Sequence, residues 1–316
     1  MKILVTGGAG FIGSHVVRSL LQTGSEVAIL DDFNDFYDPQ IKRANVKEFN
    51  GEAEVIEADI RDASAMKEIV GRAGYDSIIH IAARAGVRPS VQNPFAYIET
   101  NVVGTYNLLE AARLARVGQF LLASSSSVYG MARKVPFSED LALPQTLSPY
   151  AATKLAAEHL CGSYSHLYDI PVVVMRFFTV YGPAQRPDLA IHKFTDCIYH
   201  GRPIQQYGDG TTRRDYTYVD DIVQGVLGAL KYRRTPFEIF NLGENQTTTL
   251  TDLIGSIENA LGKRAIIEHL PEQQGDMPLT CADIDKARTL LGYHPRVKIS
   301  EGIPKFVDWY LKQQKR

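Results

Sequence analysis

The N-terminal segment joins a short apolar strand to an amphipathic helix through a glycine-rich turn. The strand is predicted over residues 2–6, and helical periodicity follows over residues 14–21. The turn between them has the spacing G-x-x-G-x-x-G and consists of Gly7, Gly8, Ala9, Gly10, Phe11, Ile12 and Gly13. In such a turn the first glycine allows a tight bend, the second lets the backbone approach a pyrophosphate at the helix N-terminus, and the third lets the helix pack closely on the strand. The pattern predicts a dinucleotide-binding α/β unit, and a purely structural glycine turn is the alternative.

Strands and helices alternate along the first half of the chain. Strands are predicted over residues 26–30, 54–58, 77–81, 119–123 and 172–178, and a long helix over residues 93–115. This alternation predicts a Rossmann-type, doubly wound parallel sheet with a smaller α/β C-terminal substrate lobe. Residues 179–183 and 186–188 are expected to be loops, and residues 237–242 a strand that can rejoin the main sheet. We therefore expect residues 1–178, with about 215–243 returning to them, to form the cofactor-binding domain, and residues 179–214 and 244–316 to form the substrate lobe.

Composition excludes several classes of partner. The formal net charge of -2 and the pI near 6.5 leave no basic stripe for nucleic acid or for an anionic membrane surface. No apolar run reaches the roughly 20 residues that span a bilayer, and the N-terminal apolar segment is too short for a signal peptide. The cysteines are scattered, without metal-ligand spacing, at Cys161, Cys197 and Cys281. We expect reduced, mostly buried thiols in a cytoplasmic protein that holds no metal.

Acidic and small residues follow the predicted strands where a dinucleotide would lie. Asp31 and Asp32 end the second strand, where a carboxylate accepts hydrogen bonds from the adenosine ribose and repels a 2′-phosphate, which favours NAD over NADP. Further candidate cofactor contacts are Asn34, Lys42, Asp59, Ile60, Ala82, Ala83 and Asn101. Asn34 and Lys42 can equally be loop residues. His80, inside the fourth strand, is interpreted as a core histidine.

A tyrosine and a lysine lie one helical turn apart in the middle of the chain. Ser148 and Pro149 have the pattern of a helix N-cap and first helical residue, which places Tyr150 in the first turn and Lys154 on the same face. A free phenol titrates at about 10, and a nearby ammonium is expected to lower the pKa of Tyr150. Tyr150 is therefore a candidate proton carrier, although the spacing alone is equally compatible with a solvated pair.

The glycine turn, the acidic residue after the second strand, a serine run at 124–127 and Tyr150-x-x-x-Lys154 occur in this order. With them the chain resembles the extended short-chain dehydrogenase/reductases over nearly its whole length. The resemblance implies that Tyr150 takes a hydroxyl proton from a sugar and that Ser125 shares that hydrogen bond. It also implies that Lys154 holds the nicotinamide ribose. Ser125 is identified by counting back from Val128-Tyr129-Gly130.

Two serines decide which branch of that family the chain resembles. Nucleotide-sugar 4,6-dehydratases carry an aspartate-glutamate pair, and decarboxylases a glutamate, where this chain has Ser126 and Ser127. Elimination of water needs a positioned acid and base, so the resemblance points instead to a 4-epimerase. The segments that carry this resemblance are 31–34, 85–88, 177–183, 186–188 and 275–278.

The resemblance also implies how a sugar nucleotide would be bound. Hydroxyls of Ser126, Ser127 and Thr179, with the charged Arg186, are candidates for the C6 carboxylate of a uronic acid; for Arg186 a loop salt bridge is the alternative. Arg214 matches an arginine that contacts the UDP diphosphate in relatives, and Asp276 an acidic residue near the uridine. A second diphosphate arginine is replaced by Gln273, which leaves Arg88 as a supplementary candidate.

The expected reaction is NAD-dependent 4-epimerisation of UDP-glucuronate to UDP-galacturonate through a 4-keto intermediate. Epimerisation of UDP-glucose is the first alternative and decarboxylation of UDP-glucuronate the second. A regulator that binds NAD without catalysis is the alternative from a different class, because fold does not fix function. Relatives commonly dimerise through the helix that begins near Asn93 and the Tyr150 helix, so a homodimer is expected.

Overall fold

The computed structural model describes residues 1–132, 134–143, 145–271 and 277–315. The strands are β1 Lys2–Thr6, β2 Glu26–Asp31, β3 Ala53–Glu57, β4 Ser77–His80, β5 Gln119–Ser125, β6 Val172–Phe177, β7 Thr179–Tyr181, β8 Pro203–Tyr207, β9 Arg213–Arg214, β10 Tyr216–Tyr218, β11 Phe237–Leu242, β12 Thr248–Thr249 and β13 Ile266–Leu270. The α-helices are α1 Phe11–Gln22, α2 Pro39–Lys47, α3 Ala63–Ala73, α4 Val87–Gln92, α5 Pro94–Tyr97, α6 Gly104–Ala115, α7 Pro149–Tyr168, α8 Ala190–Tyr199, α9 Val219–Lys231, α10 Leu250–Leu261, α11 Asp285–Leu291 and α12 Ile299–Gln314. A π-helical segment, Ile98–Val103, joins α5 to α6, and a 3-10 turn, Ser126–Tyr129, follows β5.

Seven parallel strands form the central sheet in the order β11-β6-β5-β4-β1-β2-β3. Along each central strand, alternate side chains enter two separate apolar clusters. In β6, Val173 and Met175 pack on one face, while Val172 and Val174 pack on the other. Helices α1 and α9 contribute to the first face, and α3, α6 and α7 to the second. The predicted doubly wound sheet is confirmed.

The strand order reverses between β1 and β4. Strands β2 and β3 extend the sheet to one side of β1, and β4, β5, β6 and β11 extend it to the other. Ligands of open parallel sheets bind outside the carboxyl ends of the strands at this switch point. The glycine turn follows β1 and the predicted Ala82-Ala83 segment follows β4, so the fold brings both to the same crevice.

The predictions for residues after 178 are partly confirmed. Phe237–Leu242 does rejoin the main sheet, pairing in parallel with β6. The expected loop at 179–183 is wrong in its first half, because Thr179–Tyr181 is a strand paired with Tyr216–Tyr218. Val180 and Tyr181 are buried there. The short strand is therefore stabilised by tertiary packing, which the local sequence does not predict. The domain boundaries stay a prediction.

The described residues of the C-terminal lobe share an apolar core with the central sheet. Its helices α8, α10 and α12 pack on one another and β13 pairs with β8. Their buried side chains, among them Ile191, Leu253 and Phe306, belong to the same apolar cluster as one face of the central sheet. The lobe is therefore anchored to the sheet by continuous packing.

The cysteines are free thiols, as expected, but only Cys161 is buried, whereas Cys197 and Cys281 are half-buried. His80 is a core histidine as expected: it is 2% exposed, and its ring nitrogens lie 2.7 Å from Thr6 Oγ1 and 2.9 Å from Thr105 Oγ1. Burial lowers the pKa of His80 to about 3. None of the helices in the described ranges has the length and apolarity to cross a membrane.

Candidate active site

The glycine turn forms a tight backbone cradle at the start of α1. Gly7 has a φ of +69°, and a Cβ at this position would lie 2.6 Å from the Ala82 backbone nitrogen. A Cβ on Gly13 would lie 2.1 Å from the Gly7 carbonyl oxygen. Gly10 is the N-cap residue and has no side chain with which to cap the helix. The first backbone amides of α1 are thus open to an anion, which fits the pyrophosphate of a dinucleotide.

One continuous cleft of about 330 Å³ runs from this cradle to the carboxyl ends of β5 and β6. The sequence-predicted residues that line it are Gly7, Gly10, Phe11, Ile12, Gly13, Asp31, Asp32, Asn34, Lys42, Ile60, Ala82, Ala83, Ser125, Tyr150, Lys154, Thr179 and Arg186. Those described residues that were predicted and do not line it are Asp59, Arg88, Asn101, Ser126, Ser127 and Arg214. Asp276 and Gln273 lie outside the described residues. The cleft has the size of a small-molecule site.

The acidic residues after β2 are held by a buried lysine. Asp31 accepts hydrogen bonds from the Phe33 backbone nitrogen at 3.0 Å and from Lys42 Nζ at 2.9 Å. Burial raises the pKa of Asp31, and the Lys42 ammonium opposes that rise. Asp32, 3.6 Å from the same ammonium, is half-buried. Lys42 therefore fixes the two carboxylates at the cleft wall, where they suit ribose hydroxyls.

Asp59 and Asn101 do not line the cleft and bond to other residues of the protein. Asp59 forms a two-pronged ion pair with Arg61, with distances from 2.6 to 3.1 Å. Asn101 is 2% exposed and bonds both backbone groups of Arg84, at 2.8 and 2.9 Å, and Thr153 Oγ1 at 3.0 Å. Asn101 thus ties the segment after β4 to helix α7. A π-helical segment carries it, as is frequent at functional sites.

Helix α7 positions Tyr150 as the sequence predicts. Ser148 is the N-cap, its side chain accepting from the Ala151 backbone nitrogen at 3.2 Å. The expected direction of the pKa shift is wrong, however. Burial raises the pKa of Tyr150, while hydrogen bonding to Ser125 and the positive charge of Arg186 oppose the rise. The cation that helps to stabilise the phenolate comes from a distant loop.

Lys154 is directed at the end of β5. Its Nζ donates to the Ala123 carbonyl oxygen at 2.8 Å, and the residue is 5% exposed. Burial lowers the pKa of Lys154 to about 8, and the charge of Glu158 opposes that shift. The lysine is consequently much closer to titrating at neutral pH than an exposed one.

Arg186 forms a loop salt bridge and also lines the cleft. Its Nε and Nη2 bond the carboxylate of Asp188 at 2.9 and 2.7 Å, which is the expected loop salt bridge. The same guanidinium lines the cleft, with 15% of the side chain exposed, and its carbon lies 5.3 Å from the ring centroid of Phe36. A fixed, nearly buried positive charge therefore faces the same space as Tyr150.

Ser127 turns back towards Ser125. Ser127 Oγ donates to Ser125 Oγ at 2.8 Å, and the Ser127 backbone nitrogen lies 3.2 Å from the same oxygen. Neither Ser126 nor Ser127 lines the cleft. Ser127 thus supports the hydroxyl that approaches Tyr150, and a carboxylate-binding role for the two serines stays a prediction.

Two predicted arginines lie in the region of the lobe. Arg88, on α4, is exposed and its guanidinium carbon lies 4.7 Å from the ring centroid of Tyr207 in β8. Arg214, in β9, donates to the Arg213 carbonyl oxygen at 2.9 Å, and β9 pairs with β12. Their roles towards a diphosphate stay predictions.

Sequence reasoning missed the aromatic loop that covers part of the cleft. Phe36 lies between two guanidinium groups, 5.6 Å from Arg84 and 5.3 Å from Arg186, and Tyr37 lies 5.5 Å from Lys42 Nζ. Burial raises the pKa of Tyr37 far above its usual range. The available signal was two adjacent aromatic residues within an otherwise polar turn.

A family model described as GDP-mannose 4,6 dehydratase matches residues 4–306. The chain belongs to the extended short-chain dehydrogenase/reductase family. It is 43% identical to the UDP-glucuronate 4-epimerase of Thermodesulfobacterium geofontis, over 97% of this chain and 95% of that protein. It is 39% identical to a probable UDP-glucuronate 4-epimerase of Rhizobium meliloti, over 100% of this chain and 98% of that one.

Solved structures of family members have the same fold. A UDP-glucuronic acid 4-epimerase from Bacillus cereus, in complex with UDP-glucuronic acid and NAD, has a TM-score of 0.93 at 38% identity and covers 99% of this chain and 100% of its own. A UDP-glucose 4-epimerase from Thermus thermophilus, in complex with NAD, has a TM-score of 0.90 at 32% identity. The match covers 98% of this chain and 99% of that one. The extended short-chain dehydrogenase/reductase fold therefore extends over the whole chain.

Proposed function

We propose that this protein interconverts UDP-glucuronate and UDP-galacturonate by NAD-dependent epimerisation at C4. The observation that carries the proposal is the position of Arg186, whose buried guanidinium faces the cleft that also contains Tyr150 and Thr179. A sugar with a C6 carboxylate would place a negative charge on the cleft side of this guanidinium and form a charge-assisted hydrogen bond with it. Relatives that share about 40% of this sequence are UDP-glucuronate 4-epimerases.

The cleft fits NAD at both ends. The glycine cradle leaves no room for a Cβ at Gly7 or Gly13, so backbone amides can approach a pyrophosphate. Asp31 and Asp32 would accept hydrogen bonds from the adenosine ribose, and their charge disfavours a 2′-phosphate. The chemistry that NAD would supply when bound is acceptance of the hydride from C4 of the sugar and its return to the 4-keto carbon. NAD would therefore act as a retained catalyst.

Tyr150 would remove the C4 hydroxyl proton and later return it. Ser125 approaches the phenol and would hold the same hydroxyl, while Ser127 orients Ser125. Lys154 lies one turn further along α7, fixed by the Ala123 carbonyl, and would hold the nicotinamide ribose. These groups would position the sugar and move the C4 hydroxyl proton during oxidation and re-reduction. Inversion further requires the 4-keto sugar to turn about its linkage to UDP, so that the hydride returns to its other face.

The absence of an acid at positions 126 and 127 separates this chemistry from elimination. Ser126 and Ser127 have no carboxyl group with which to abstract the C5 proton. A 4-keto uronate is also a β-keto acid that can lose carbon dioxide. Arg186 would hold its carboxylate as an anion in a polar setting, which disfavours that loss.

The direct test incubates the purified protein with UDP-glucuronate without added reductant, followed by mass spectrometry and proton NMR. We expect UDP-galacturonate at unchanged mass, and no product from Tyr150→Phe. A pentose product would assign the decarboxylase activity instead. Turnover of UDP-glucose alone would assign the glucose epimerase. Unchanged biological activity of Tyr150→Phe would indicate a regulator that does not depend on catalysis.

We also propose that the protein is a homodimer that functions in the cytoplasm. Apolar side chains are exposed along the α5–α6 and α7 helices: Phe95 at 65%, Ile98 at 46%, Leu114 at 56%, Leu167 at 64% and Tyr168 at 45%. Such a stripe on helices is typical of an interface. The free thiols support a reducing compartment.

A further inference from the structure

A buried ion pair lies directly behind the candidate catalytic lysine. Glu158 follows Lys154 by one turn of α7 and is 4% exposed. Its carboxylate accepts from Arg176 of β6, at 3.0 Å from Nε to Oε1 and 2.7 Å from Nη2 to Oε2. Arg176 is 2% exposed. Desolvation of two charges usually costs as much as their attraction returns, so stability alone does not explain the pair.

Glu158 also holds the strand that carries Ser125. Ser124 Oγ donates to Glu158 Oε1 at 2.5 Å, while Lys154 Nζ donates to the Ala123 carbonyl oxygen at 2.8 Å. Two successive residues at the end of β5 are therefore bonded to two successive turns of α7. Ser125 is the next residue along the strand, and Tyr150 is one turn earlier on the helix. The relative position of the two reacting hydroxyls depends on these contacts.

The ion pair continues into a hydrogen-bond chain towards the C-terminal lobe. Arg176 Nη1 donates to Tyr129 Oη at 3.1 Å, and Tyr129 donates to Asn241 Oδ1 at 2.7 Å. Asn241 Nδ2 in turn donates to the Phe137 carbonyl oxygen at 2.8 Å. The hydrogen-bond chain fixes Arg176, and through it the carboxylate of Glu158.

We propose that Glu158, held by Arg176, is a positioning residue for the epimerisation. It fixes the end of β5 that carries Ser125 and supplies the buried negative charge that faces Lys154. The proposal rests on the proposed function for its kinetic consequence, but its effect on Lys154 does not need a substrate.

The charged and titratable groups around Lys154 come from three elements. Glu158 and Cys161 lie on α7 with Tyr150, His80 lies on β4, and Arg176 on β6 faces Glu158. Burial keeps His80 neutral and the Cys161 thiol protonated at neutral pH, since it lowers the pKa of the first to about 3 and raises that of the second far above its usual range. Glu158 is thus the buried charge among these groups that favours the ammonium of Lys154.

The first experiment measures kcat for UDP-glucuronate from pH 6 to 10 in wild type, Glu158→Gln and the double variant Glu158→Met/Arg176→Met. The double variant leaves neither charge unpaired, so it is expected to fold even if Glu158→Gln does not. Loss of Glu158 should move the alkaline decline of kcat down by about one pH unit, because a removed opposite charge makes Lys154 deprotonate earlier. Asp221→Asn is the matched control, since Asp221 is 5% exposed and accepts hydrogen bonds from the backbone nitrogens of residues 296 and 297. Asp221→Asn should lower the free energy of unfolding without shifting the dependence of kcat on pH.

A second measurement separates failure of this proposal from failure of the proposed function. The pKa of Lys154 is about 8 in the folded protein and 10.5 for an ordinary lysine. In that window the unfolded chain binds more protons, so the free energy of unfolding rises with pH. Without Glu158 the rise should begin at lower pH, and the difference should vanish in a Lys154→Met background. The proposal would be overturned if the free energy of unfolding began to rise at the same pH with and without Glu158. It would also be overturned if kcat of an active double variant declined at the same alkaline pH as that of the wild type. An inactive wild type with a shifted onset would reject only the proposed reaction.

Discussion

At the scale of single residues, the positive charge of Arg186 acts on two neighbours, Asp188 and Tyr150. Asp188 occupies two of its nitrogens, so the guanidinium is oriented before any ligand arrives. A pre-oriented arginine can hold a carboxylate without losing much side-chain entropy. The same charge lowers the pKa of Tyr150 against the effect of burial. Selectivity and proton transfer are therefore linked through one residue.

Replacing Arg186 with alanine should weaken the binding of UDP-glucuronate more than the binding of UDP-glucose. A charge-assisted hydrogen bond contributes about 1.5–3 kcal/mol, so we expect Kd for UDP-glucuronate to rise by roughly 10- to 100-fold. UDP-glucose has no carboxylate, and its Kd should change only slightly. Isothermal titration calorimetry with both ligands measures the difference. Arg72→Ala, on the exposed face of α3, should change neither. Equal losses for the two sugars would remove the proposed contact.

Local spacing predicted which residues of α7 share a face, but not which charges they meet. The four-residue spacing places Tyr150 and Lys154 together because helix geometry is local. The positive charge that acts on Tyr150 comes from a loop, through Arg186, and the arginine that holds Glu158 comes from β6. Only the tertiary fold brings these two arginines close. For the same reason the Lys42 ammonium was expected near the adenosine, whereas its bond to Asp31 was not foreseen.

At the scale of elements, the first turn of α7 carries the chemistry, and its cap should matter beyond stability. Ser148→Ala removes the acceptor of the Ala151 amide, which typically costs about 1 kcal/mol. We expect the melting temperature to fall by about 1–2 °C, because the entropy of unfolding grows with chain length. Because Tyr150 lies in the uncapped turn, kcat should fall by more than the loss of folded protein explains. Thermal unfolding and steady-state kinetics on the same sample provide both numbers.

Thr249→Ala is the matched control for this prediction. Thr249 caps α10 in the same way, accepting from the Asp252 backbone nitrogen at 3.0 Å, but that helix lies in the C-terminal lobe. It should lower the melting temperature by a similar amount and leave kcat unchanged. If both variants changed kcat alike, the effect would reflect general loosening and not the position of Tyr150.

The helix that carries Asn101 shows what periodicity alone leaves out. The sequence predicted one helix over residues 93–115, and the chain is indeed helical from Pro94 to Ala115. Its middle is a π-helical segment, in which each turn holds more residues than in an α-helix. This segment packs on α7, and the apolar pattern of the sequence does not predict such a tertiary contact. Within it, the buried Asn101 accepts from the Arg84 backbone nitrogen and so braces the cleft wall, while its contact with the cofactor stays a prediction.

At the scale of the whole molecule, the parallel, doubly wound sheet was predictable and lobe packing was not. Alternating elements and right-handed crossovers leave few arrangements for a parallel sheet, which is why the main sheet matches expectation. The lobe depends on long-range contacts such as Tyr181 against Gly302, where a Cβ would lie 2.0 Å from the tyrosine hydroxyl. Such a fit has no counterpart in local sequence pattern.

The exposed stripe on α5–α6 and α7 leads to a prediction about assembly. In a two-fold symmetric dimer each interface residue occurs twice, so one substituted charge per chain places two like charges in the same contact. Phe95→Glu combined with Leu167→Glu should therefore convert a dimer to a monomer without lowering the melting temperature of the monomer fold. Light scattering coupled to size-exclusion chromatography measures the mass of each. Ile266→Glu is the control, because Ile266 is 56% exposed on β13, away from both helices, and that variant should stay dimeric. A monomeric wild type, or a dimer that survives both charges, would show that the stripe is not the interface.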